Sequence, residues 1–315
     1  MALTLAEAER RSMSPLIKGV VEILINEGEI LPFIPFQNFE GISYTYLRES
    51  TLPTVAFRQP GDVWTESSPV TTSHTAKLKI LGGDVDTDFF LLKTLSNVND
   101  QKAIDVMQKV KAMARTINDK FIYGDEDNDA KEWDGLHDFL QSNTGQRVEL
   151  GASSAEVAPT ITKLREMLRL IKGGKPDVIL MSRVCRDGLA RYFENGLVNA
   201  VLTRTEFGKG MDYFDGIPLY GTDYITDTET VVTTSFGAKT GGAGSSIFAM
   251  RFGEDGVFGI QNGGMQLLPI GSSGGLETKD ATRVRVRWYL NPCVIKSTLA
   301  VAGITGVDPD GTWAD

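Results

Sequence analysis

Residues 98–123, VNDQKAIDVMQKVKAMARTINDKFIY, carry the clearest helical pattern in the chain. Apolar side chains recur there at the spacings of one helix face, at Ala103, Met107, Val110, Ala114, Ile117 and Phe121. Asn99 or Asp100 can cap the start of the helix, and Gly124 can close its end. Such a helix is about 36 Å long, whereas a compact chain of this length has a radius of gyration of roughly 20 Å. We therefore expect this helix to be the spine of its domain.

The composition excludes several classes of protein. The chain has 315 residues, 41% of them apolar and 23% charged, and its 33 glycines point to many turns. These proportions are typical of a folded globular chain. The net charge of −9 argues against a protein whose whole surface binds nucleic-acid phosphates. No apolar run is long enough to span a membrane, and Met1–Arg11 lacks a signal-peptide core.

The chain is also poor in cysteine and histidine. Cys185 and Cys293 give no disulfide framework, which indicates folding in a reducing cytosol. His74 and His137 are too few for a multi-histidine metal site. We therefore expect no stabilising metal or disulfide.

Residues 41–92 alternate apolar and polar side chains as strands do. The first alternating run is carried by Ile42, Tyr44 and Tyr46. After a middle rich in Pro, Ser and Thr, a second run puts Leu78 and Ile80 on one face and Lys77 and Lys79 on the other. The pattern predicts a long two-stranded excursion with a polar tip. A hairpin of this kind is marginally stable alone in water, so we expect it to need a partner surface.

The rest of the chain mixes helices with short strands. We expect a second helix from about Pro159 to Lys172 and a third from its cap Ser182 to Asn195, with a buried strand at 178–181 between them. Further strands are expected at 217–220, 230–234, 247–252 and 257–261, a flexible linker at 237–246, and closing strands at 282–290 and 294–301. This order of elements predicts the α+β class.

Motifs for nucleotide binding and acyl transfer are incomplete. A phosphate loop needs Ser or Thr after Gly-Lys, but Pro176 follows Lys175. Neither 244–246 nor 271–274 has the Gly-x-Ser-x-Gly order of a nucleophile elbow. These stretches are better interpreted as loops.

The acidic residues after the spine helix do not complete a calcium loop. Residues 125–129 begin like one, but Ala130 and Leu136 stand where the loop requires Gly and Glu. We interpret the run as a solvated turn, and His137 beside Asp138 as a structural histidine. The sequence therefore predicts no catalytic site, no cofactor and no metal.

A cationic strand lies near the C-terminus. Three arginines, Arg283, Arg285 and Arg287, alternate with three apolar residues, Val284, Val286 and Trp288. Period two puts the guanidinium groups on one face and the apolar groups on the other. The cationic face is either solvated or pairs with carboxylates of a neighbouring subunit, because arginine suits bidentate pairing.

The order of these parts resembles the tailed-bacteriophage major capsid protein fold, which encapsulin shells share. The residues that carry the resemblance are Asp62–Glu66 followed by Leu78–Leu92, Phe121–Asp125 with Trp133–Leu136, Phe214–Tyr220, and Arg251–Gly253 through Gly259–Gln261 to Arg283–Trp288. They follow one another in the family's order over nearly the whole chain.

The resemblance implies a division of the chain into regions. These are an N-terminal arm (1–36), an extended β excursion loop (37–82), a peripheral domain with the spine helix (83–177), an axial domain (178–280), and closing strands that return to the peripheral domain (281–315). The arm begins almost at Met1, so a separate scaffolding protein is expected if one is needed.

The resemblance also implies a function, which is that of an icosahedral virus shell subunit. Hexamers and pentamers of the chain would enclose double-stranded DNA, contacted non-specifically, and the procapsid would mature into a virion assembled in the host cytoplasm. A portal, a scaffolding protein and a decoration protein are the other partners implied. The expected contacts between subunits involve Trp64, Glu66, Lys77, Lys79, Arg283, Arg285 and Arg287.

Two alternatives stay open. An encapsulin-type nanocompartment has the same fold, and the sequence does not separate it from a phage capsid. A soluble enzyme is the alternative of another class, and the lack of a catalytic motif disfavours it.

Overall fold

The computed structural model describes residues 29–95, 101–150, 156–195, 204–206, 209–230, 239–270 and 279–314. Within them the helices are α1 (Phe89–Leu95), α2 (Gln101–Tyr123), α3 (Leu136–Ser142), α4 (Ile161–Leu170) and α5 (Arg183–Asn195). The strands are β1 (Phe36–Asn38), β2 (Ser43–Thr51), β3 (Val70–Lys77), β4 (Lys79–Asp88), β5 (Arg147–Glu149), β6 (Val178–Ser182), β7 (Arg204–Glu206), β8 (Lys209–Phe214), β9 (Ile217–Thr222), β10 (Ser245–Met250), β11 (Val257–Ile270), β12 (Ala281–Ile295) and β13 (Val301–Val307). Single 3₁₀ turns lie at Leu31–Phe33, Thr144–Gln146 and Thr298–Ala300.

Helix α2 is the spine that its sequence predicts. It buries one face, on which Val110, Ala114, Ile117 and Phe121 are all excluded from solvent. The backbone N–H of Gly124 donates to the carbonyl of Lys120 at 2.9 Å and closes the helix. The predicted caps at residues 99 and 100 lie outside the described residues.

A four-stranded sheet packs on the spine helix. Its strand order is β1-β11-β12-β4, with β12 antiparallel to both neighbours. Val284, Val286 and Trp288 of β12 are buried in the core that includes α2. The alternation predicted for this strand is confirmed.

A seven-stranded sheet has the order β5-β13-β10-β6-β9-β8-β7, and its strands β6, β10 and β13 are buried on both faces. In β6, Val178 and Leu180 enter the core shared with α2, whereas Ile179 and Met181 enter a second core with α4 and α5. Burial on both faces explains the unbroken apolar run of this strand. The Oγ atom of Ser182 accepts from the N–H of Cys185 at 3.2 Å, so the predicted cap of α5 is confirmed.

The end of the chain differs from the prediction. Strand β12 continues to Ile295, and the last strand is Val301–Val307 rather than 294–301. That strand lies between β5 and β10 in the seven-stranded sheet, whereas β12 belongs to the four-stranded sheet on the spine helix. A short apolar run predicts a strand but not the sheet that it joins, because the sheet is decided by pairing with residues distant in sequence.

One further expectation is corrected near the seven-stranded sheet. Ser245 and Ser246, placed by the sequence in a flexible linker, are fully buried at the start of β10. Helix α4 packs Leu164 and Met167 into the second core, on one face of this sheet. The strand expected at 230–234 falls almost wholly outside the described residues.

The spine helix offers a matched pair of substitutions. Ile117 is 1% exposed, whereas the neighbouring Thr116 is exposed and its hydroxyl donates to the Ala112 carbonyl. Ile117→Ala is expected to lower the free energy of unfolding by about 2–5 kcal/mol, because it removes buried methyl groups and leaves a cavity. Thr116→Ala should change it by less than about 0.5 kcal/mol. Urea unfolding followed by circular dichroism measures both, and equal losses would contradict this burial pattern.

Candidate assembly interface

Strands β2 and β3 form a separate antiparallel hairpin whose root lies on the body of the protein. The register runs from Ser43 opposite Lys77 to Thr51 opposite Val70. At the root, Tyr44, Tyr46, Ala76 and Leu78 pack against a small cluster of buried side chains on β11 and β12, namely Phe258, Ile260 and Val294. The hairpin predicted from the sequence therefore exists, and the apolar contacts of its root fix it to the four-stranded sheet.

Arg48 is the main polar anchor of the hairpin root. Its guanidinium donates to the carbonyls of Ile295 at 2.7 Å and Lys296 at 3.1 Å. It also lies 5.8 Å from the ring centroid of Phe139 on α3. The hydroxyl of Tyr46 donates to the same Ile295 carbonyl at 3.0 Å, and burial raises the pKa of that tyrosine. These bonds set the direction in which the hairpin leaves the body.

Lys77 and Lys79, two of the predicted contact residues, meet at Glu126. Their Nζ atoms lie 2.6 and 3.2 Å from its Oε1 atom, and the hydrogen bond from Lys77 lowers the pKa of Glu126. Lys79 also donates to the Ala130 carbonyl at 2.7 Å, and its side chain is only 10% exposed. The acidic turn after the spine helix therefore anchors the hairpin root.

The sequence predicted that Leu78 and Ile80 share one face of a strand and Lys77 and Lys79 the other, and this prediction is wrong beyond Leu78. Leu78 packs under the hairpin, but Ile80 is 76% exposed and Lys79 points toward the body. The physical reason is a change of sheet: the chain leaves the hairpin at Leu78 and enters β4, where the face that carries Ile80 is uncovered.

The hairpin tip, residues 52–69, extends away from the body. Its backbone forms no regular strand, and β3 begins only at Val70, after the stretch 62–66 that resembles a strand of the family. The tip has internal order, because the N–H of Gln59 donates to the carboxylate of Asp62 and Arg58 lies 5.6 Å from the Trp64 ring centroid. Large apolar side chains are uncovered here and at the adjoining strand end: Leu52, Val55, Phe57, Val63, Trp64 and Val70 are 53–108% exposed.

The two remaining predicted contact groups differ in their surroundings. Glu66 and Trp64 are both exposed on the tip, as a contact between subunits requires. The arginines of β12 instead find partners in their own chain. Arg283 pairs bidentately with Asp86 at 2.6 and 2.7 Å, and Arg285 pairs with Asp84 at 2.7 and 2.8 Å.

These arginine pairs answer part of the question that the sequence left open. The carboxylates belong to β4, directly across from β12, and the hydrogen bonds from the arginines lower the pKa of Asp84 and Asp86. Alternate aspartates in 84–88 opposite alternate arginines were the signal that could have indicated this pairing. A role of the arginines between subunits stays a prediction.

The side chains that invite a catalytic interpretation occupy structural positions. His137 is buried against the Tyr123 ring, and burial lowers its pKa to about 4. Burial raises the pKa of the Cys185 thiol to about 12. Within the described ranges, no group of three or more His, Cys, Asp or Glu side chains is placed to hold a metal ion. No helix in the same ranges is long and apolar enough to cross a membrane.

A buried carboxyl joins the spine helix to the seven-stranded sheet. Glu229 accepts hydrogen bonds from the hydroxyls of Tyr123 at the end of α2 and Ser246 in β10. It is 3% exposed, and burial raises its pKa to about 7. The ammonium of Lys239 lies 5.0 Å from the Tyr123 ring and pairs with Asp119 of the same helix. Sequence gives no signal for this cluster, because burial of one glutamate is decided by packing.

Solved structures with the same fold include an encapsulin and a capsid. The chain superposes on the SrpI encapsulin of Synechococcus elongatus with a TM-score of 0.67 at 16% identity, over 100% of this chain and 99% of that chain. It superposes on the capsid of a native GTA particle with a TM-score of 0.64 at 14% identity, over 89% and 90%. For Microbacterium phage Oxtober96 the TM-score is 0.59 at 12% identity, over 87% and 89%.

The predicted α+β tailed-phage capsid fold, shared with encapsulins, is therefore confirmed. No protein-family model matches the sequence, and no curated protein matches it. At these low identities the likeness establishes the fold alone.

The buried Glu229 carboxyl predicts a pH dependence of stability. Its pKa is about 7 in the folded chain, above the ordinary value of 4.5, so folding favours the protonated form. The stability it contributes is full below about pH 4.5 and is lost as the pH rises through about 7. Glu229→Gln removes this ionisation, so at pH 8 we expect the free energy of unfolding of the variant to exceed that of the parent by about 3 kcal/mol.

The measurement is urea unfolding between pH 5 and pH 8.5. Glu166→Gln, at an exposed glutamate of α4, is the matched control and should follow the parent at every pH. Parallel pH profiles for Glu229→Gln and the parent would contradict the burial of an ionisable carboxyl at this junction.

Proposed function

We propose that this protein is the structural subunit of an icosahedral virus shell of the tailed-phage type. In this proposal its copies form hexamers and pentamers that enclose double-stranded DNA. The observation that carries it is the hairpin: its root is fixed to a shell-protein fold while its tip exposes large apolar side chains. A tip of this kind has no function within one copy and suits a contact between copies.

The energetics of the tip favour association. Each large apolar side chain that moves from water into an interface contributes about 1.5–3 kcal/mol. Phe57 and Val63 are almost fully solvated in the single chain, at 108% and 91% exposure. The cost of leaving them in water is removed when a neighbouring copy covers them. A contact between two different surfaces of identical copies closes into rings when the rotation permits.

The remaining features of the proposal concern partners and location. A separate scaffolding protein, a portal and a decoration protein would complete the particle, and the shell would be assembled in the host cytoplasm and become part of the virion. The net charge of −9 is compatible with a shell that contacts packaged DNA but binds it weakly. The proposed role is to form the wall of the shell through contacts between copies, and we propose no catalytic activity.

A second candidate is the shell of an encapsulin-type nanocompartment. The specific observation in its favour is coverage, since the SrpI encapsulin and this chain match over 99% and 100% of their lengths. The contents of purified particles separate the two candidates. Nuclease-protected double-stranded DNA supports the virus shell, whereas an enclosed protein without DNA supports the nanocompartment.

The tip can be removed without touching the root. Replacing residues 52–69 by Asn-Gly, a favoured two-residue hairpin turn, joins the end of β2 to the start of β3 and keeps Arg48 and Tyr46 in place. The expected result is a folded subunit that forms no shells, because the apolar contacts of the tip are lost. Electron microscopy and analytical ultracentrifugation measure assembly, and circular dichroism confirms folding.

A milder variant serves as the control for this replacement. Thr71→Ser, in β3 at the exposed edge of the hairpin, keeps the tip intact and should assemble like the parent. Normal particles from the tip-replaced chain would show that assembly does not depend on the tip.

A further inference from the structure

The loop between α4 and β6 has the sequence Lys-Gly-Gly-Lys at residues 172–175, and all four residues are exposed. Both ends of this loop are fixed to neighbouring elements. The N–H of Lys172 donates to the Leu299 carbonyl at 3.1 Å, and the N–H of Asp177 donates to the Met250 carbonyl at 2.9 Å. The body therefore holds the two lysines at a constant place on the surface. We call residues 172–175 the cationic loop.

Arg251, which follows β10, lies on the backbone of the cationic loop. Its Nη1 atom donates to the Gly173 carbonyl at 3.0 Å. Gly173 and Gly174 have φ values of 86° and 149°, which residues with side chains rarely adopt, and a methyl group on Gly173 would lie 3.3 Å from the Nη2 atom. Because neither glycine has a side chain, a ligand can approach the guanidinium and the loop backbone together.

Two arginines of α4 extend the positive charge beyond the loop. Arg165 and Arg169 are both exposed and lie one turn apart on the same helix face. With Lys172, Lys175 and Arg251 they form a group of five cations at the end of the seven-stranded sheet where β6 begins and β10 finishes. The whole chain has 41 acidic and 32 basic side chains, so this group locally reverses the charge of the molecule.

Four carboxylates of this region are already engaged. They are Glu166, which pairs with Lys163 at 2.8 Å, Asp215, which lies 3.6 Å from Arg165, Asp177, which accepts from the N–H of Phe252 at 2.7 Å, and Asp255, which pairs with Lys296 at 2.7 Å. Among the residues that the structure describes, no carboxylate lies within ion-pair distance of the other four cations of the group. These four cations are therefore available to an anion outside the chain.

The chemistry of the group suits phosphate oxygens. A planar guanidinium binds a phosphate in a bidentate manner, and lysines neutralise it as point charges. The exposed large apolar side chains of the described residues lie elsewhere, with none on α4 or the cationic loop, so the surface lacks the apolar centre typical of a protein interface. Duplex DNA offers closely spaced phosphates, about one per 1.7 Å of its axis.

We propose that the cationic loop, Arg251 and the exposed arginines of α4 bind the phosphate backbone of the double-stranded DNA that the shell encloses. The inference rests on the proposed shell function and gives the contact with DNA a place on the subunit. Because contacts to phosphates carry no base information, the binding is independent of DNA sequence. The end of the seven-stranded sheet that bears the group then faces the interior of the particle.

The salt dependence of DNA binding tests the charge of the group. Fluorescence anisotropy of a short labelled duplex with unassembled full-length subunits measures Kd between about 50 and 200 mM NaCl. Each cation that neutralises one phosphate contributes about −0.9 to the slope of the logarithm of the association constant against that of the salt concentration. Lys172→Ala/Lys175→Ala should therefore weaken binding and make the slope about 1.8 less negative. The matched control, Lys93→Ala/Lys131→Ala, removes the same charge from exposed lysines of α1 and the acidic turn and should leave the slope unchanged.

Photocrosslinking inside assembled particles tests the place of the contact. Lys172→Cys is labelled with a photoactivatable maleimide, which attaches only there because the native Cys185 and Cys293 are buried. Irradiated particles should give a protein–DNA adduct that survives urea and loses mass on nuclease digestion. The same label at Lys131→Cys is the control and should give no adduct, because the acidic turn repels phosphates.

The outcomes separate this contact from the shell function. A less negative slope in the 172/175 variant, together with an adduct specific to residue 172, supports the contact. Particles that hold nuclease-protected DNA but give no adduct, or a slope that both double variants share with the parent, overturn it and leave the shell function standing. Stronger competition by poly-glutamate than by unlabelled duplex would assign the surface to an acidic protein and overturn the contact with DNA. Particles without DNA overturn the contact and the enclosure of DNA together, and a chain that forms no particles overturns the shell function itself.

Discussion

The attachment of the hairpin at one end only is the constraint on which the rest of the structure depends. Arg48 and Tyr46 share the Ile295 carbonyl, and the apolar root packs on β11 and β12. Nothing comparable holds the tip, which leaves Phe57 and Val63 in water. An isolated two-stranded ribbon is marginally stable, so the hairpin depends on the contacts that its root makes with the body.

The body can hold the root because both of its sheets pack against the spine helix α2. Alternate residues of β6 and β10 enter opposite cores, and the spine helix fills the core that the two sheets share. Close packing of this kind resists rearrangement of the body. The buried Glu229, bonded to Tyr123 and Ser246, ties the end of the spine helix to the second sheet.

Local periodicity accounts for what the sequence predicts correctly. The spine helix, the buried strand at 178–181, the cap at Ser182 and the alternation of β12 follow from spacings within one element. The place of β13, the exposure of Ile80 and the partners of Arg283 depend on pairing between distant parts of the chain. The candidate site divides in the same way. The polar composition around Trp64 and Glu66 predicts an exposed tip from the sequence alone. The anchoring role of Arg48 cannot be predicted in this way, because it depends on the carbonyls of Ile295 and Lys296, which lie nearly 250 residues away.

The central claim is that identical copies of this chain complete one another's surfaces in a closed shell. Negative-stain electron microscopy of the purified full-length protein, over a range of concentration and ionic strength, tests it most directly. We predict closed particles of uniform diameter, or hexameric and pentameric rings as their intermediates. A protein that stays monomeric under all of these conditions, including crowding and addition of a scaffolding protein, would contradict the account.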